Sequence, residues 1–400
     1  MSKEVKNKIV PRLRFPEFRN DLECGEKTLG SLCSTIASGK DNIDANGEYY
    51  LYGSTGIIGR TNNYSHDGDF LLVARVGANA GLLTRATCKF GVTDNTLVIS
   101  PNNLENIDFI KYTLEKFGLN KLVFGSGQPL ITGGQLKSLF IYSPKPQEQQ
   151  KIADCLSSLD ELISAQNQQL EALKAHKKGL MQQLFPAEGE TVPQLRFAEF
   201  RDSGEWVEKM LGELLQFKNG INASKEQYGK GIKFINVLDI LQNEYITHKK
   251  IIGSVEVSDE MVNNFSVNYG DILFQRSSET QEEVGTANVY LDKEHVATFG
   301  GFVIRGKKIG IYDPVFLNKL LKTQAIRNSI SSKSGGSTRF NIGQESLISI
   351  KILLPSLNEQ QKIASCLSAL DELITAQKEK IAALKMHKKG LMQGLFPAVV

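Results

Sequence analysis

Apolar residues recur along two stretches of this chain at alternating spacings of four and three. The first stripe reads Ile152, Leu156, Leu159, Ile163, Gln166, Leu170, Leu173, Lys177, Leu180 and Leu184. The second reads Ile363, Leu367, Leu370, Ile374, Gln377, Ile381, Leu384, Lys388, Leu391 and Leu395. Such spacing is a heptad seam, the mark of a helix that buries one narrow face against another helix. Both stripes lie in copies of one sequence, Glu148 to Ala187 and Glu359 to Ala398, which agree without a gap at about three-quarters of positions. The simplest partner for each seam is the other. The pattern therefore predicts two long helices pairing as an antiparallel coiled coil. Leu156, Leu159, Ile163, Gln166, Leu170 and Leu173 face Leu367, Leu370, Ile374, Gln377, Ile381 and Leu384. With midpoints level, the polar interruptions Gln166 and Gln377 meet and fix the register.

A shorter repeat precedes each helix at a distance. Val10–Phe18 reads VPRLRFPEF and Val192–Phe200 reads VPQLRFAEF. The short repeats are 182 residues apart and the helical ones 211, so the second half carries about 29 extra residues between its shared ends. This is a pseudo-two-fold internal repeat, with two variable domains on a duplicated frame. The expected division is 1–147 and 188–357 for the domains, with 148–187 and 358–400 for the helices. The fold class is α+β, with two mixed α/β domains separated by the two helices.

Within the first domain, Tyr49–Tyr52, Asp69–Arg75 and Asn95–Ile99 read as strands from their β-branched and aromatic content between Gly, Asn and Asp breaks. Asp108 is expected to open a helix, and Thr132 with Gln135 to form a capping box ahead of a strand. Within the second, Lys233–Val237 and Asp271–Arg276 read as strands, and Asp313-Pro314 as the start of one long helix through about Ser329. Gly270–Arg276 echoes Gly68–Arg75, and Gly125-Ser126 stands 211 residues before Gly336-Ser337. The two domains are therefore expected to share a fold.

Composition narrows the function. With 41% hydrophobic and 23% charged residues, the chain is an ordinary globular one. A net charge of +3 and a pI near 8.4 are mild, so any nucleic-acid surface is local or shared with a partner. The absence of a long apolar run argues against a membrane span, and the charged MSKEVKNKIVPRLRF start suggests a cytoplasmic protein. Five scattered cysteines and five unclustered histidines suggest neither a disulfide framework nor a metal site.

Catalytic motifs are not found. No Pro-Pro followed by an aromatic occurs, as an amino-methyltransferase loop would need. Gly301–Lys308 fits GxxxxGK but ends in Lys where Ser or Thr should hold Mg²⁺, and its interior reads as a strand. No catalytic residue, metal ligand or cofactor of this chain is expected. The pairs Asp160-Glu161 and Asp371-Glu372 read as solvated helix face. Binding chemistry concentrates in glycine- and hydroxyl-rich loops instead. The candidate DNA contacts are Tyr52, Ser54, Thr55, Arg60, Arg75, Asn79, Ser126 and Gln128 in the first half. In the second they are Lys218, Asn219, Gln275, Arg276, Ser277, Ser337, Thr338 and Arg339. Hydroxyls and backbone N–H groups suit phosphates, while Gln, Asn, Arg and Lys suit base edges.

Two variable domains alternating with near-identical helices that begin EQQKIA and contain LDELI and HKKGLMQ, each half preceded by LRFPEF or LRFAEF, resemble the specificity subunits of type I restriction-modification systems. The likeness spans essentially the whole chain. It implies two target recognition domains, each reading half of a split, asymmetric site in double-stranded DNA. It also implies helices that set the spacing and dock two modification (methyltransferase) subunits, with restriction subunits joining them. S-adenosylmethionine, ATP and Mg²⁺ would belong to those partners, which methylate adenine at N6 and cleave. The rival expectation is a non-enzymatic scaffold whose duplicated domains bind proteins; a single-chain nuclease or methyltransferase lacks its motifs.

Overall fold

The computed structural model describes residues 11–20, 25–124 and 129–397. The chain divides into two compact units. The first runs to Gln169 and resumes at Gln377; the second is Leu170–Ala376. Each helical repeat forms one uninterrupted helix, Pro146–Leu184 and Leu357–Leu395, both of 39 residues. Each unit therefore holds one variable domain with the start of one long helix and the end of the other.

The domains share their sheet order. In the first unit a four-stranded antiparallel sheet runs Cys33–Ser38, Thr96–Pro101, Phe70–Ala74, Leu83–Ala86. In the second the order is Leu215–Asn219, Val303–Lys308, Ile272–Gln275, Ala287–Val289. Beside each sheet lies a parallel pair, Tyr49–Gly53 with Lys89–Val92 and Tyr228–Ile235 with Thr298–Phe299. The echo between Gly68–Arg75 and Gly270–Arg276 thus marks equivalent central strands.

The core of each unit joins sheet to helices. In the first, Leu71, Val73, Leu97 and Ile99 pack with Phe109, Ile152 and Leu156, and with Leu395 and Phe396 from the far end of the chain. In the second, Phe217, Phe274 and Ile304 pack with Phe316, Ile363 and Leu367, and with Leu184 and Phe185. Along the seam Leu156, Ile163, Leu170, Leu367, Ile374, Gln377 and Ile381 are buried, while Leu159, Leu173, Leu370 and Leu384 are half-buried. In the first unit Gln377 Nε2 donates to the backbone carbonyl of Gln166 at 2.8 Å and to its Oε1 at 3.1 Å.

The short repeats lock the helices. Arg14 donates from Nε and Nη2 to the two carboxylate oxygens of Glu148, at 2.7 and 2.6 Å. Arg196 does the same to Glu359, both at 2.8 Å. Both glutamates are 1% exposed, and such two-pronged, charge-assisted pairs are the strong kind. The Leu13 N–H donates to the Gly394 carbonyl at 2.8 Å, and that of Leu195 to Gln183 at 2.9 Å. The EQQ start serves a second purpose. Gln149 Oε1 accepts from the Asn106 N–H, and Gln360 Oε1 from that of Asp313, both at 3.0 Å.

Several local expectations change. Asn106, not Asp108, caps the helix Ile107–Phe117, its side chain accepting from the Phe109 N–H. The second domain's long helix is two, Pro314–Leu320 and Gln324–Ser332, because the Lys322 and Thr323 N–H groups close onto Lys319 and Leu320 and Thr323 restarts the chain. The strand expected to reach Val237 ends at Ile235, where Asp239 accepts from the Asn236 N–H and starts a short helix. The Thr132–Gln135 capping box forms as expected.

Asp160 and Asp371 are not solvated helix face. Asp160 accepts from the Tyr112 hydroxyl at 2.7 Å and from Lys388 at 2.6 Å. Asp371 accepts from Lys319 at 2.5 Å, from Tyr245 at 3.2 Å and from Lys177. The two seam lysines thus meet the two aspartates. Glu161 and Glu372 are exposed. Among the described residues no helix is long and apolar enough to cross a membrane.

Candidate nucleic-acid interface

Most of the sequence-selected loops meet at one end of each domain's sheet. In the first unit, Ser54 and Thr55 form the tip of the hairpin Tyr49–Gly53/Gly56–Thr61. The Tyr52 carbonyl accepts from the Thr93 N–H at 3.0 Å, tying this hairpin to the turn at 93–95. Arg75 leaves the central strand beside that turn, and its N–H donates to the Asn95 carbonyl at 2.9 Å. Its own carbonyl accepts from the Ile131 N–H, and the Gly77 N–H donates to Pro129, so Pro129, Leu130 and Ile131 lie against it. Asn79 is exposed on the next loop. Ser126 and Gln128 lie outside the described residues. Arg60 stands apart, paired with Tyr50 toward the other end of the hairpin. Its guanidinium sits 5.0 Å from the Tyr50 ring and donates to the Glu48 carbonyl.

The second unit repeats this framework. The Gly300 N–H donates to Ile235, the Arg276 N–H to Phe302, and the Ile342 N–H to Arg276, at 3.0, 2.9 and 3.0 Å. Ser277 pairs with Asn341 through backbone and side chain. Gly335 and Asn341 exchange N–H···O bonds of 3.0 and 2.8 Å, closing a loop with Ser337, Thr338 and Arg339 exposed at its tip. Gly336 has φ +128°, and a Cβ there would come 2.1 Å from the Arg339 carbonyl, so the loop requires glycine. Phe124↔Leu130 matches Gly335↔Asn341 in the first unit, at the 211-residue offset noticed in the sequence.

Not every candidate faces outward. Gln275 is 4% exposed and braces the edge by donating to the Ser277 carbonyl at 2.9 Å. Lys218 lies over the Phe265 ring at 4.2 Å and donates to Asn264, while the neighbouring Asn219 is half-buried. The Arg75 Nε is buried with no hydrogen-bond partner, although its Nη1 reaches the Asp94 carbonyl at 3.4 Å. Burial, with the nearby Tyr50 and Cys88, holds the Tyr52 phenol above its usual range, so it remains a donor at neutral pH. Sequence reasoning put Asn95 in a strand and read Gly301-Phe302 as the start of one, but the strands begin at Thr96 and Val303, and 93–95 and 300–302 are turns. Their signals were Asp94-Asn95 and Gly300-Gly301, each just ahead of a strand. Among the described residues no cluster of three or more His, Cys, Asp or Glu could hold a metal ion.

A family model described as the type I restriction modification DNA specificity domain matches residues 23–175 and 203–386. The chain belongs to this family. The type I restriction enzyme MjaVIII specificity subunit of Methanocaldococcus jannaschii is 26% identical over 343 residues, covering 82% of this chain and 78% of that one. The EcoprrI specificity subunit of Escherichia coli is 32% identical over 160 residues, 38% of this chain and 39% of its own. The crystal structure of a type I restriction-modification S subunit from M. genitalium has the same fold. It gives a TM-score of 0.60 at 18% identity, covering 98% of this chain and all of that one.

Proposed function

We propose that this chain is the DNA-recognition subunit of a type I restriction-modification complex, binding double-stranded DNA at a split, asymmetric site with one half read by each unit. The observation that carries this reading is the pair of equivalent loop edges, built on the same backbone hydrogen bonds and furnished with different side chains. Equal frameworks suit two related reading heads; different side chains suit two different half-sites. In the first unit Tyr52, Ser54, Thr55, Arg75 and Asn79 belong to the contact surface, with Ser126 and Gln128. In the second it holds Asn219, Arg276, Ser277, Ser337, Thr338 and Arg339. Lys218 and Gln275 support it, and Arg60 lies at its margin.

Residues 1–147 and 188–357 act as target recognition domains, with 148–187 and 358–400 as spacers. The spacers pair along their seams as an antiparallel coiled coil. The Gln166–Gln377 bond supports this, as do cores that each join the start of one helix to the end of the other. Each spacer is about 58 Å long at ~1.5 Å per residue. The chain is not itself an enzyme and needs no cofactor. Adenine methylation and cleavage, with S-adenosylmethionine, ATP and Mg²⁺, belong to two modification subunits and to restriction subunits in the cytoplasm. The relatives' printed names, all type I specificity subunits, favour this over a protein-binding scaffold.

Binding separates the two. Assembled with its modification partner, the chain should hold a duplex carrying its site with an affinity that falls steeply with salt, because phosphate contacts release counterions. Absence of duplex binding at low salt would favour the scaffold.

A further inference from the structure

The two loop edges share one more element. Thr93-Asp94-Asn95 and Gly300-Gly301-Phe302 occupy equivalent places, fixed by four bonds in the same order. The first residue's N–H donates to a strand carbonyl, Tyr52 or Ile235, at 3.0 Å in both. Its carbonyl accepts from Thr96 at 3.2 Å or Val303 at 2.9 Å. The third residue's carbonyl accepts from the arginine N–H, Arg75 or Arg276, at 2.9 Å in both. The guanidinium of that arginine reaches the second residue's carbonyl, at 3.4 Å for Asp94 and 3.3 Å for Gly301. A neighbouring strand end also packs backbone to backbone on this region. A Cβ at Gly39 would come 2.0 Å from the Val92 carbonyl, and one at Gly220 would come 2.1 Å from that of Gly300.

On this fixed support the third side chain is free. Asn95 is exposed, and Phe302 is 62% exposed beside Arg276. Single exposed apolar residues are common. What distinguishes Phe302 is its position: a bare ring at the tip of a braced turn, where the other domain presents an amide.

Resting on the DNA-recognition reading above, we infer that Asn95 and Phe302 are equivalent specificity-determining residues, one reading its half-site by hydrogen bonds and the other by apolar contact with a base. An Asn amide, donor on one side and acceptor on the other, matches the N6 and N7 pair of adenine. A phenyl ring makes no such pair. It contacts a thymine methyl or wedges against a base face.

The test uses the full chain expressed with its modification partner, with methylated motifs read by sequencing. Phe302→Ala should lose roughly ten- to a hundredfold discrimination at one position of one half-site, and Asn95→Ala the same in the other half only. Replacing thymine by uracil in a binding duplex separates the two apolar contacts. Weakened wild-type binding identifies the methyl, while unchanged binding with activity kept by Phe302→Trp identifies the ring face. The inference is overturned if both variants melt like the wild type yet return its motif in both halves. A wild-type chain that directs no split motif would instead overturn the recognition reading itself.

Discussion

The helix Ile107–Phe117 presents Tyr112 to the long helices of its unit, and Pro314–Leu320 presents Lys319 at the equivalent place. The frame residues they meet are the same in both, an aspartate and a lysine of the repeat. In the first unit Asp160 bonds to the Tyr112 phenol and to Lys388, with Lys111 at 4.0 Å, and neither of these ammonium groups is fully buried. In the second, two ammonium groups converge on Asp371, and Lys319 is 1% exposed. A buried ammonium costs several kcal/mol, so a further carboxylate is needed. Glu244, from the variable domain itself, supplies it to Lys319 and Lys177. The frame thus offers one constant half of a lock, and each domain brings its own other half. A domain can diverge in sequence and remain docked, provided it satisfies the same aspartate.

Breaking the lock inside each unit should cost the two units unequally. Asp371→Ala leaves buried Lys319 and Lys177 short of an anion and should cost about 3–5 kcal/mol. Asp160→Ala removes a neutral hydroxyl partner and a more exposed ion pair, for about 1–2 kcal/mol. Denaturant melts of the two variants measure this, and equal losses would break the comparison. The arginine clamps should behave alike instead. Arg14→Ala and Arg196→Ala each strand a buried glutamate, at about 3 kcal/mol apiece. A large difference between them would show that the short repeats are not equivalent.

A smaller effect depends on pH. Burial by itself raises the Glu244 carboxyl, but Lys319, with Lys322 and Lys177, outweighs burial and brings it down to about 2. Its folded pKa lies below its ordinary value of 4.5, so its contribution is complete above 4.5 and is lost as pH falls toward 2. Glu244 is 43% exposed, which keeps the effect modest. Trp206, the chain's only tryptophan, lies in the second unit's core and reports on it. Glu244→Gln should flatten the acid limb of its fluorescence melts. An unchanged limb would count against the lysine–glutamate contact.

The sequence displayed the frame well because its determinants are periodic or adjacent. Heptad spacing announced both helices, level midpoints brought Gln166 to Gln377, and Thr132 with Gln135 made a cap by local rule. The locks were hidden because their partners have no fixed spacing. Nothing near Asp371 in sequence announces Lys319 or Glu244, and acidic pairs on long helices are usually solvated. The loop edges were half legible. Glycine and hydroxyl clusters marked Ser54, Thr55 and Ser337 to Arg339, which lie on exposed turns or beside them. Residue type alone could not tell that Gln275 points inward to Ser277, or that Asn95 and Phe302 stand on matching turns. Those facts come from strand register, which two diverged domains share without sharing sequence.

The central claim is that the two edges read two halves of one site independently. Its most direct test is methylation mapping of DNA from cells expressing the chain with its modification partner, before and after residues 21–143 are replaced by the corresponding domain of another family member. The account predicts a split, asymmetric motif in which the replacement changes one half and leaves the other intact. A motif unchanged in both halves by the exchange would contradict it.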